Sequence, residues 1–272
     1  MTSNNYLSKN NIILEAKSLK KRFGGLEAVS NFSLSLKKGE TRGLIGPNGA
    51  GKTTVFNLIT GFYKPNSGKL FYKGKDITYE SPDKRVSRGI GRTFQMIRME
   101  KYVKVIDEVK IGFFRRINYN MLDILFQTHN YTNEEKQIEK ETLEILNFLG
   151  IAYLANILGE DVPYGLQKRV SLARILAMKP EVLLLDEPSS GLNPGETKEL
   201  VELISKIKEK YNLSIFIIEH DMSVIMSICN DIIAVNEGKI IGMGKPKEIQ
   251  KNKKVIEAYL GGISWIKSLY LN

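Results

Sequence analysis

Eight consecutive residues near the start of the chain have the composition of a loop that binds phosphate. They read Gly46-Pro47-Asn48-Gly49-Ala50-Gly51-Lys52-Thr53 and match the pattern G-x₄-G-K-[ST]. Glycines let the backbone curl so that its N–H groups point at phosphate oxygens. Lys52 adds a positive charge at the β- and γ-phosphates, and Thr53 offers a hydroxyl to Mg²⁺. The segment therefore predicts a site for a nucleoside triphosphate and Mg²⁺.

The elements on either side of this loop are those that the pattern requires. Residues 41–45 are apolar enough for a buried strand, and residues 51–60 are predicted as a helix that Gly61 closes. The positive end of such a helix points at an anion bound in the loop. A chance glycine turn would lack both neighbours, so the context favours nucleotide binding.

Two carboxylates follow a second apolar strand. Residues 182–185 are all apolar, which predicts a strand buried on both faces, and Asp186 and Glu187 come directly after it. Ligands bind at this end of the strands in open α/β sheets. We expect Asp186 to hold Mg²⁺ through water and Glu187 to act as general base on the attacking water. The alternative is an acidic surface turn.

The rest of the chain predicts an α/β core with a helical insertion at about residues 98–178. Buried strands alternate with amphipathic helices after residue 181, which implies parallel strands joined by crossover helices. The first hundred residues read as short strands and turns. Strands are predicted at 11–17, 31–36, 70–72 and 214–218, and helices at 133–149, 165–178 and 195–209.

Composition excludes several classes of protein. The chain has 272 residues, of which 42% are hydrophobic, so it is neither disordered nor a small disulfide scaffold. No apolar run approaches the 18 residues of a membrane span. Cys229 is the one cysteine, so an intrachain disulfide is impossible. The net charge of +10 suits nucleic acid, anionic lipid or a phosphorylated ligand, or is spread over solvated surfaces.

With these motifs in place, the chain resembles an ATP-binding-cassette (ABC) ATPase over residues 11–261. The resemblance implies a P-loop NTPase (RecA-like) core, an antiparallel β subdomain, the helical insertion as a subdomain, and a C-terminal tail at 262–272. It also implies three further roles. Phe23 would stack on adenine, Gln95 would contact Mg²⁺ and the lytic water, and His220 would contact the γ-phosphate.

The signature motif is the segment where this sequence departs most from the pattern of the family. The family consensus is Leu-Ser-Gly-Gly-Gln, and the aligned residues here are Val162-Pro163-Tyr164-Gly165-Leu166. Pro163 has no hydroxyl for a γ-phosphate, although proline suits the start of the helix that follows. The resemblance implies that Tyr164 and Gly165 face ATP bound to a second cassette, so that two chains enclose each nucleotide.

The resemblance gives three sets of site residues. The catalytic set is Glu187, His220 and Gln95, and the metal set is Thr53, Gln95 and Asp186. The nucleotide-binding set is Phe23, Gly46, Pro47, Asn48, Gly49, Ala50, Gly51, Lys52, Thr53, Thr54, Tyr164 and Gly165. Together they imply hydrolysis of ATP to ADP and phosphate with Mg²⁺.

Several segments narrow the resemblance to the ATPase subunits of branched-chain amino-acid importers. Among them are Arg22-Phe23-Gly24-Gly25-Leu26, Arg92-Thr93-Phe94-Gln95 and Ala258-Tyr259-Leu260-Gly261. ATPases of urea or amide importers and of lipopolysaccharide extraction stay open as alternatives, as does a non-transport ABC ATPase.

The narrower resemblance also implies partners and a location. The partners are two membrane permease subunits, a second ABC ATPase subunit in a homo- or heterodimer, and an extracytoplasmic substrate-binding protein that acts through the permeases. Nucleic acid is not expected among them. The chain would lie peripherally on the cytoplasmic face of the cell membrane. The apolar tail at 262–272 would pack on its own domain, fray, or meet a partner or lipid.

Overall fold

The computed structural model describes residues 11–93 and 99–260, in which the strands form two sheets. The strands are β1 (Ile12–Phe23), β2 (Leu26–Lys37), β3 (Thr41–Ile45), β4 (Ser67–Tyr72), β5 (Lys75–Asp76), β6 (Ile90–Arg92), β7 (Val182–Asp186), β8 (Ser214–Ile218), β9 (Asp231–Asn236) and β10 (Lys239–Gly244). The α-helices are α1 (Lys52–Thr60), α2 (Pro82–Arg88), α3 (Val105–Lys110), α4 (Met121–Leu125), α5 (His129–Phe148), α6 (Tyr164–Ala177), α7 (Pro194–Tyr211), α8 (Met222–Ile228), α9 (Pro246–Gln250) and α10 (Lys253–Leu260).

The larger sheet positions the site. Its strands lie in the order β10-β9-β3-β8-β7-β6, and all neighbours pair in parallel except β10 with β9. The smaller sheet is antiparallel, in the order β2-β1-β4-β5. The predicted α/β class is therefore confirmed. Because β3, β7 and β8 are parallel, the residues that follow them meet at one edge of the sheet.

Strand β7 separates two hydrophobic cores. Leu183 and Leu185 belong to the core shared with α5, α6 and α7, whereas Val182 and Leu184 belong to the core beneath α1 and the antiparallel sheet. This alternation follows from the two-residue period of a strand. It confirms the prediction of a strand buried on both faces, and the strand runs one residue further, to Asp186.

The first two strands are longer than the predicted ranges, 11–17 and 31–36. Ser18 and Asn31 adopt positive φ values of 49° and 54°, and the pairing of β1 with β2 shifts register around them. Such bulges interrupt the alternation of buried and exposed residues. The sequence pattern therefore stops at each bulge, although β1 continues to Phe23 and β2 starts at Leu26.

Helices α5 and α7 start earlier than predicted because capping side chains set their first residues. Helix α5 starts four residues before the predicted residue 133, since the Thr128 hydroxyl accepts the N–H of Tyr131. Helix α7 begins at Pro194, where the side chain of Asn193 accepts the N–H of Glu196. Helix α1 starts at Lys52, one residue after the predicted residue 51, and ends at Thr60; Gly61, with a φ of 86°, closes it as predicted.

Residues 105–177 are mainly helical, and α3 and α5 both pack on α6. Arg115 ties this region to the core by donating to the carbonyl oxygens of Val86 and Ser87 at the end of α2. Among the described helices, none has the length and hydropathy needed to cross a bilayer. Gln95 and the predicted tail at 262–272 lie outside the described residues.

Candidate functional site

The glycine-rich loop joins β3 to α1 and leaves no room for a side chain at its last glycine. Gly51 has a φ of 97°, and a Cβ there would lie 2.3 Å from the carbonyl oxygen of Ala28. Strand β2 therefore fixes the position of the loop against the start of α1. The backbone N–H groups of this first helical turn have no partner within the helix, so they are available to an anion.

Lys52 is buried at the mouth of this loop. Its Nζ donates to the carbonyl oxygens of Gly46 at 2.7 Å and Pro47 at 2.9 Å. Burial lowers the pKa of the Lys52 ammonium, while the carboxylates of Glu187 and Asp186 oppose that effect. The predicted role of this ammonium at the terminal phosphates stays a prediction.

A cavity of about 450 Å³ opens beside the loop. Its volume is in the range of small-molecule sites, about 300–1,000 Å³. Phe23 lies at its edge with 41% of its surface exposed. Its walls are formed by Phe23, Leu26, Glu27, Ala28, Asn48, Gly49, Ala50, Gly51, Lys52, Thr53, Thr54, Glu237 and Gly238. Most of the predicted nucleotide-binding residues therefore line one cavity, while Gly46 and Pro47 hold the Lys52 ammonium.

The ring of Phe23 is held by two neighbours. Tyr63 packs edge-on against it, with ring centroids 5.1 Å apart and an angle of 72° between the rings. The Nζ of Lys21 lies 5.0 Å from the centroid of Phe23 and donates to the carbonyl oxygen of Lys64. Tyr63 was not predicted as a site residue, and its place in a turn after α1 gave no periodic signal.

Asp186 and Glu187 follow β7 and have different surroundings. The Asp186 carboxylate is buried and pairs with Arg92 at 2.8 Å. The backbone of Glu187 has a φ of 48°, and its N–H donates to the carbonyl oxygen of Ile218. The Glu187 carboxylate lies 2.6 Å from Nε2 of His220. The two acids that are adjacent in sequence thus point to different partners.

Glu219 is a site residue that sequence reasoning missed. The residue is 2% exposed, and its carboxylate accepts the N–H of Ser189 at 2.7 Å and of His220 at 3.1 Å. It therefore fixes the loop after Glu187 relative to the loop that carries His220. The available signal was a carboxylate directly after a fully buried strand, where a charged side chain needs partners.

The signature residues lie next to the segment that follows Glu187. Pro163 caps helix α6, Tyr164 starts it, and a Cβ on Gly165 would be 3.5 Å from the Glu196 carboxylate. Lys168 on the same helix donates to the carbonyl oxygens of Pro188 and Ser190. Among the described residues, neither Tyr164 nor Gly165 lines the cavity beside the phosphate loop.

The oxygen atoms near the loop are of the type that Mg²⁺ prefers. Thr53 offers a hydroxyl and Asp186 a carboxylate. In the part of the chain that the structure describes, no group of three acidic, His or Cys residues could hold a metal by itself. Mg²⁺ commonly takes one or two carboxylates and completes its shell with phosphate oxygens and water. The donor set therefore fits a magnesium ion that arrives with a nucleotide.

Comparison with known proteins identifies the family of the chain. The sequence model of the family described as "ABC transporter" matches residues 29–190, and that described as "Branched-chain amino acid ATP-binding cassette transporter" matches residues 239–263. The chain is 39% identical to the high-affinity branched-chain amino acid transport ATP-binding protein BraF of Pseudomonas aeruginosa, over 92% of this chain and 98% of BraF. It is 39% identical to LivG of Escherichia coli, with the same coverage.

Solved structures give the same result. The ADP conformation of MJ1267, an ATP-binding cassette of an ABC transporter, matches with a TM-score of 0.80 and 31% identity, over 92% of this chain and 99% of that one. CbiO1 of Clostridium perfringens matches with a TM-score of 0.77 and 28% identity, over 96% and 100%. The predicted resemblance is confirmed: the chain belongs to the ABC transporter family, as an ATP-binding, ATP-hydrolysing subunit of the group that includes LivG and BraF.

Proposed function

We propose that this chain hydrolyses ATP to power the import of branched-chain amino acids. The observation that carries the chemistry is that Lys52, Asp186, Glu187 and His220 lie at or just beyond the carboxyl ends of the neighbouring parallel strands β3, β7 and β8, with His220 2.6 Å from Glu187. The substrate class rests on the relatives, which are named for branched-chain amino acid transport and cover nearly the whole chain.

In this proposal the cavity holds ATP with its phosphates on the glycine-rich loop. Phe23 stacks on the adenine, and the backbone N–H groups of residues 49–54 and the Lys52 ammonium bind the phosphates. Thr53 and Asp186 would hold Mg²⁺, which would neutralise charge that develops on the phosphate oxygens. Gln95 keeps its predicted role at the metal and the lytic water.

Glu187 is the proposed general base. Its carboxylate takes a proton from water as the water oxygen bonds to the γ-phosphorus, and the bond to the bridging oxygen of ADP breaks in line. His220 holds the carboxylate in place through the 2.6 Å contact, and Glu219 holds the backbone of His220. A general base must lie within reach of the water before its pKa affects the rate. His220 and Glu219, which hold Glu187 in place, are therefore part of the catalytic arrangement.

The proposed working unit contains more than this chain. Residues 11–261 form one ABC domain with a helical insertion at about 98–178. Tyr164 and Gly165 contact the ATP of a second ABC ATPase subunit, identical or different. Two permease subunits carry the substrate, and an extracytoplasmic binding protein delivers it to them. The chain is peripheral, on the cytoplasmic face of the membrane.

The experiment that tests this proposal starts from native membranes. We expect a tagged chain to co-purify with two permeases and a second ABC ATPase, and the reconstituted complex to hydrolyse ATP faster when its binding protein is loaded with leucine, isoleucine or valine. A Lys52→Ala variant controls for assembly, because it should co-purify with the same proteins and show no stimulation. Stimulation by urea or amides instead, or purification without permeases, would contradict the proposal.

A further inference from the structure

Arg92 and Asp186 form a buried ion pair at the carboxyl ends of two neighbouring strands. Nη2 of Arg92 lies 2.8 Å from Oδ2 of Asp186, and the two side chains are 8% and 4% exposed. Their strands, β6 and β7, pair in parallel with Arg92 opposite Leu184. The carboxylate proposed to hold Mg²⁺ is therefore already paired with a cation of the same chain.

Arg92 is fixed in this position by the helix that carries the phosphate loop. Its Nη1 donates to Oδ1 of Asn57 at 2.6 Å and to the hydroxyl of Thr60 at 3.3 Å. Its guanidinium carbon lies 5.5 Å from the ring centroid of Phe56. Three residues of α1 thus hold the arginine, and this helix begins at Lys52, the last residue but one of the phosphate loop.

The partner carboxylate is fixed from the other side. The backbone N–H of Asp186 donates to the hydroxyl of Thr93, which directly follows Arg92 in sequence. A carboxylate this deeply buried needs a cation, because an unpaired buried charge is strongly unfavourable. Lys52 is also near, but its ammonium donates to the carbonyl oxygens of Gly46 and Pro47. Arg92 is the cation in direct contact with Asp186.

We propose that Arg92 is a resident counter-cation that competes with Mg²⁺ for Asp186, and so weakens the dependence of nucleotide binding on the metal. The inference rests on the proposed function, since it takes Asp186 as the metal-holding residue. A fixed positive charge next to a divalent ion raises the free energy of the metal-bound state by Coulomb repulsion. Arg92 acts through Asp186, so it is a positioning residue.

This arrangement gives the site an order of events. Before nucleotide binds, the guanidinium pairs with the Asp186 carboxylate and makes the binding of Mg²⁺ alone less favourable. The phosphates of ATP bring enough negative charge to hold both the arginine and the metal. Asp186 therefore stays oriented by Arg92 until ATP binds, and Mg²⁺ would bind together with the nucleotide.

The test compares the affinity of the purified full-length chain for a fluorescent, non-hydrolysable ATP analogue with Mg²⁺ and with EDTA. The dissociation constant in EDTA divided by the dissociation constant with Mg²⁺ reports how much the metal strengthens nucleotide binding. Arg92→Gln removes the charge and keeps an amide that can donate to Asp186. We expect the ratio to rise by about tenfold in this variant, as one charge near a divalent ion warrants.

Three further variants make the result specific. Arg92→Lys keeps the charge and should leave the ratio close to that of the wild type, and Arg92→Met should reproduce the rise if Arg92→Gln does not fold. Arg42→Gln is the matched control. Arg42 also pairs with carboxylates, Glu40 at 2.7 Å and Asp231 at 3.5 Å, but its strand β3 is separated from β7 by β8.

The outcomes distinguish this inference from the proposed function. A ratio that stays unchanged or falls in Arg92→Gln, with a clear metal effect in the wild type, overturns the counter-cation role and leaves the metal assignment standing. A ratio of one in both the wild type and Arg92→Gln overturns the metal assignment itself and the inference with it. An equal rise in Arg42→Gln would show a general charge effect and would overturn the inference.

Discussion

His220 and Glu187 meet at the carboxyl ends of two adjacent parallel strands, with Nε2 of the histidine 2.6 Å from Oε1 of the glutamate. Asp186 pairs with Ile218 at the ends of β7 and β8, and this pairing brings together the loops that follow the two strands. The N–H of Glu187 also donates to the carbonyl oxygen of Ile218. The backbone hydrogen bond of Glu187 and the imidazole of His220 together orient the Glu187 carboxylate. Its role as a base can therefore be tested by replacing Glu187 and His220 separately.

Replacing Glu187 by glutamine should separate ATP binding from turnover. The amide keeps the size of the side chain and cannot accept a proton from water, and general-base catalysis is worth roughly 10²–10⁴-fold. We expect phosphate release to fall by that factor while the dissociation constant for ATP stays close to that of the wild type. Normal hydrolysis by Glu187→Gln would show that another group is the base.

Removing the His220 imidazole should lower turnover by about 10²-fold, the effect of a small misplacement of a reacting group. ATP affinity should change less than turnover, since the contact made by the imidazole in this structure is with Glu187 and the imidazole is partly exposed. His129→Ala is the matched control, because His129 is the other histidine of the chain and lies at the start of α5. A similar loss of phosphate release in both variants would contradict a positioning role for His220.

The ring of Phe23 should contribute to the binding of the base and not of the phosphates. Phe23→Ala is expected to weaken ATP binding by about 1–3 kcal/mol, the range for a base stacked on an aromatic ring. Tyr63→Leu should cost about 0.5–1.5 kcal/mol, because it removes the edge-on ring that holds Phe23. Calorimetric titration with ATP and with inorganic tripolyphosphate separates the contribution of the base to the binding free energy from that of the phosphates.

Tyr63→Phe is the control for that series. It keeps the ring whose centroid is 5.1 Å from that of Phe23, and should bind ATP as the wild type does. Tripolyphosphate should bind equally well to all of these variants. If its affinity falls in step with that of ATP, the aromatic pair supports the loop as a whole and does not recognise adenine.

The Glu141 carboxylate predicts an acid-dependent stability. Hydrogen bonds from Arg116, at 2.7 and 2.9 Å, lower its pKa to about 2 from 4.5. A carboxylate whose pKa is lower in the folded state stabilises the protein above pH 4.5, and that contribution is lost as pH falls through about 2. Glu141→Gln should therefore reduce the free energy of unfolding at pH 7 by about 1–2 kcal/mol, allowing for partial exposure.

Denaturant unfolding at several pH values measures this difference. The gap between wild type and Glu141→Gln should close as the pH approaches 2. Glu139→Gln changes an exposed carboxylate on the same helix and should have little effect at either pH. A gap that is constant with pH would mean that the glutamine disturbs packing and that the ion pair with Arg116 contributes little.

The sequence predicted the parts of the site that local chemistry defines. The loop at 46–53, the acidic pair after β7 and His220 after β8 each combine a buried strand with a residue type that has few other reasons to be there. Arg92 and Glu219 were missed because their roles depend on contacts across strands. Their partners, Asp186 and Ser189, are distant in sequence, and no spacing rule connects them.

The fold was predictable wherever periodicity was regular. Strand β8 has the predicted boundaries, Ser214–Ile218, because all five residues are buried. Strands β1 and β2 were predicted too short, since the bulges at Ser18 and Asn31 break the alternation on which the prediction depended. The short strand β6, Ile90–Arg92, carries too few residues for any pattern, yet it delivers Arg92 to the site.

The position of Tyr164 and Gly165 beside residues 190–196 has a kinetic consequence. If these two residues serve the nucleotide of a second chain, each turnover by the isolated protein begins with an encounter between two cassettes. The rate per chain will then fall on dilution, and the total rate will rise with the square of the protein concentration while dimers are scarce. Permeases that hold two cassettes side by side would remove this dependence by supplying a high effective concentration. Membrane assembly would thereby set the rate at which ATP is consumed.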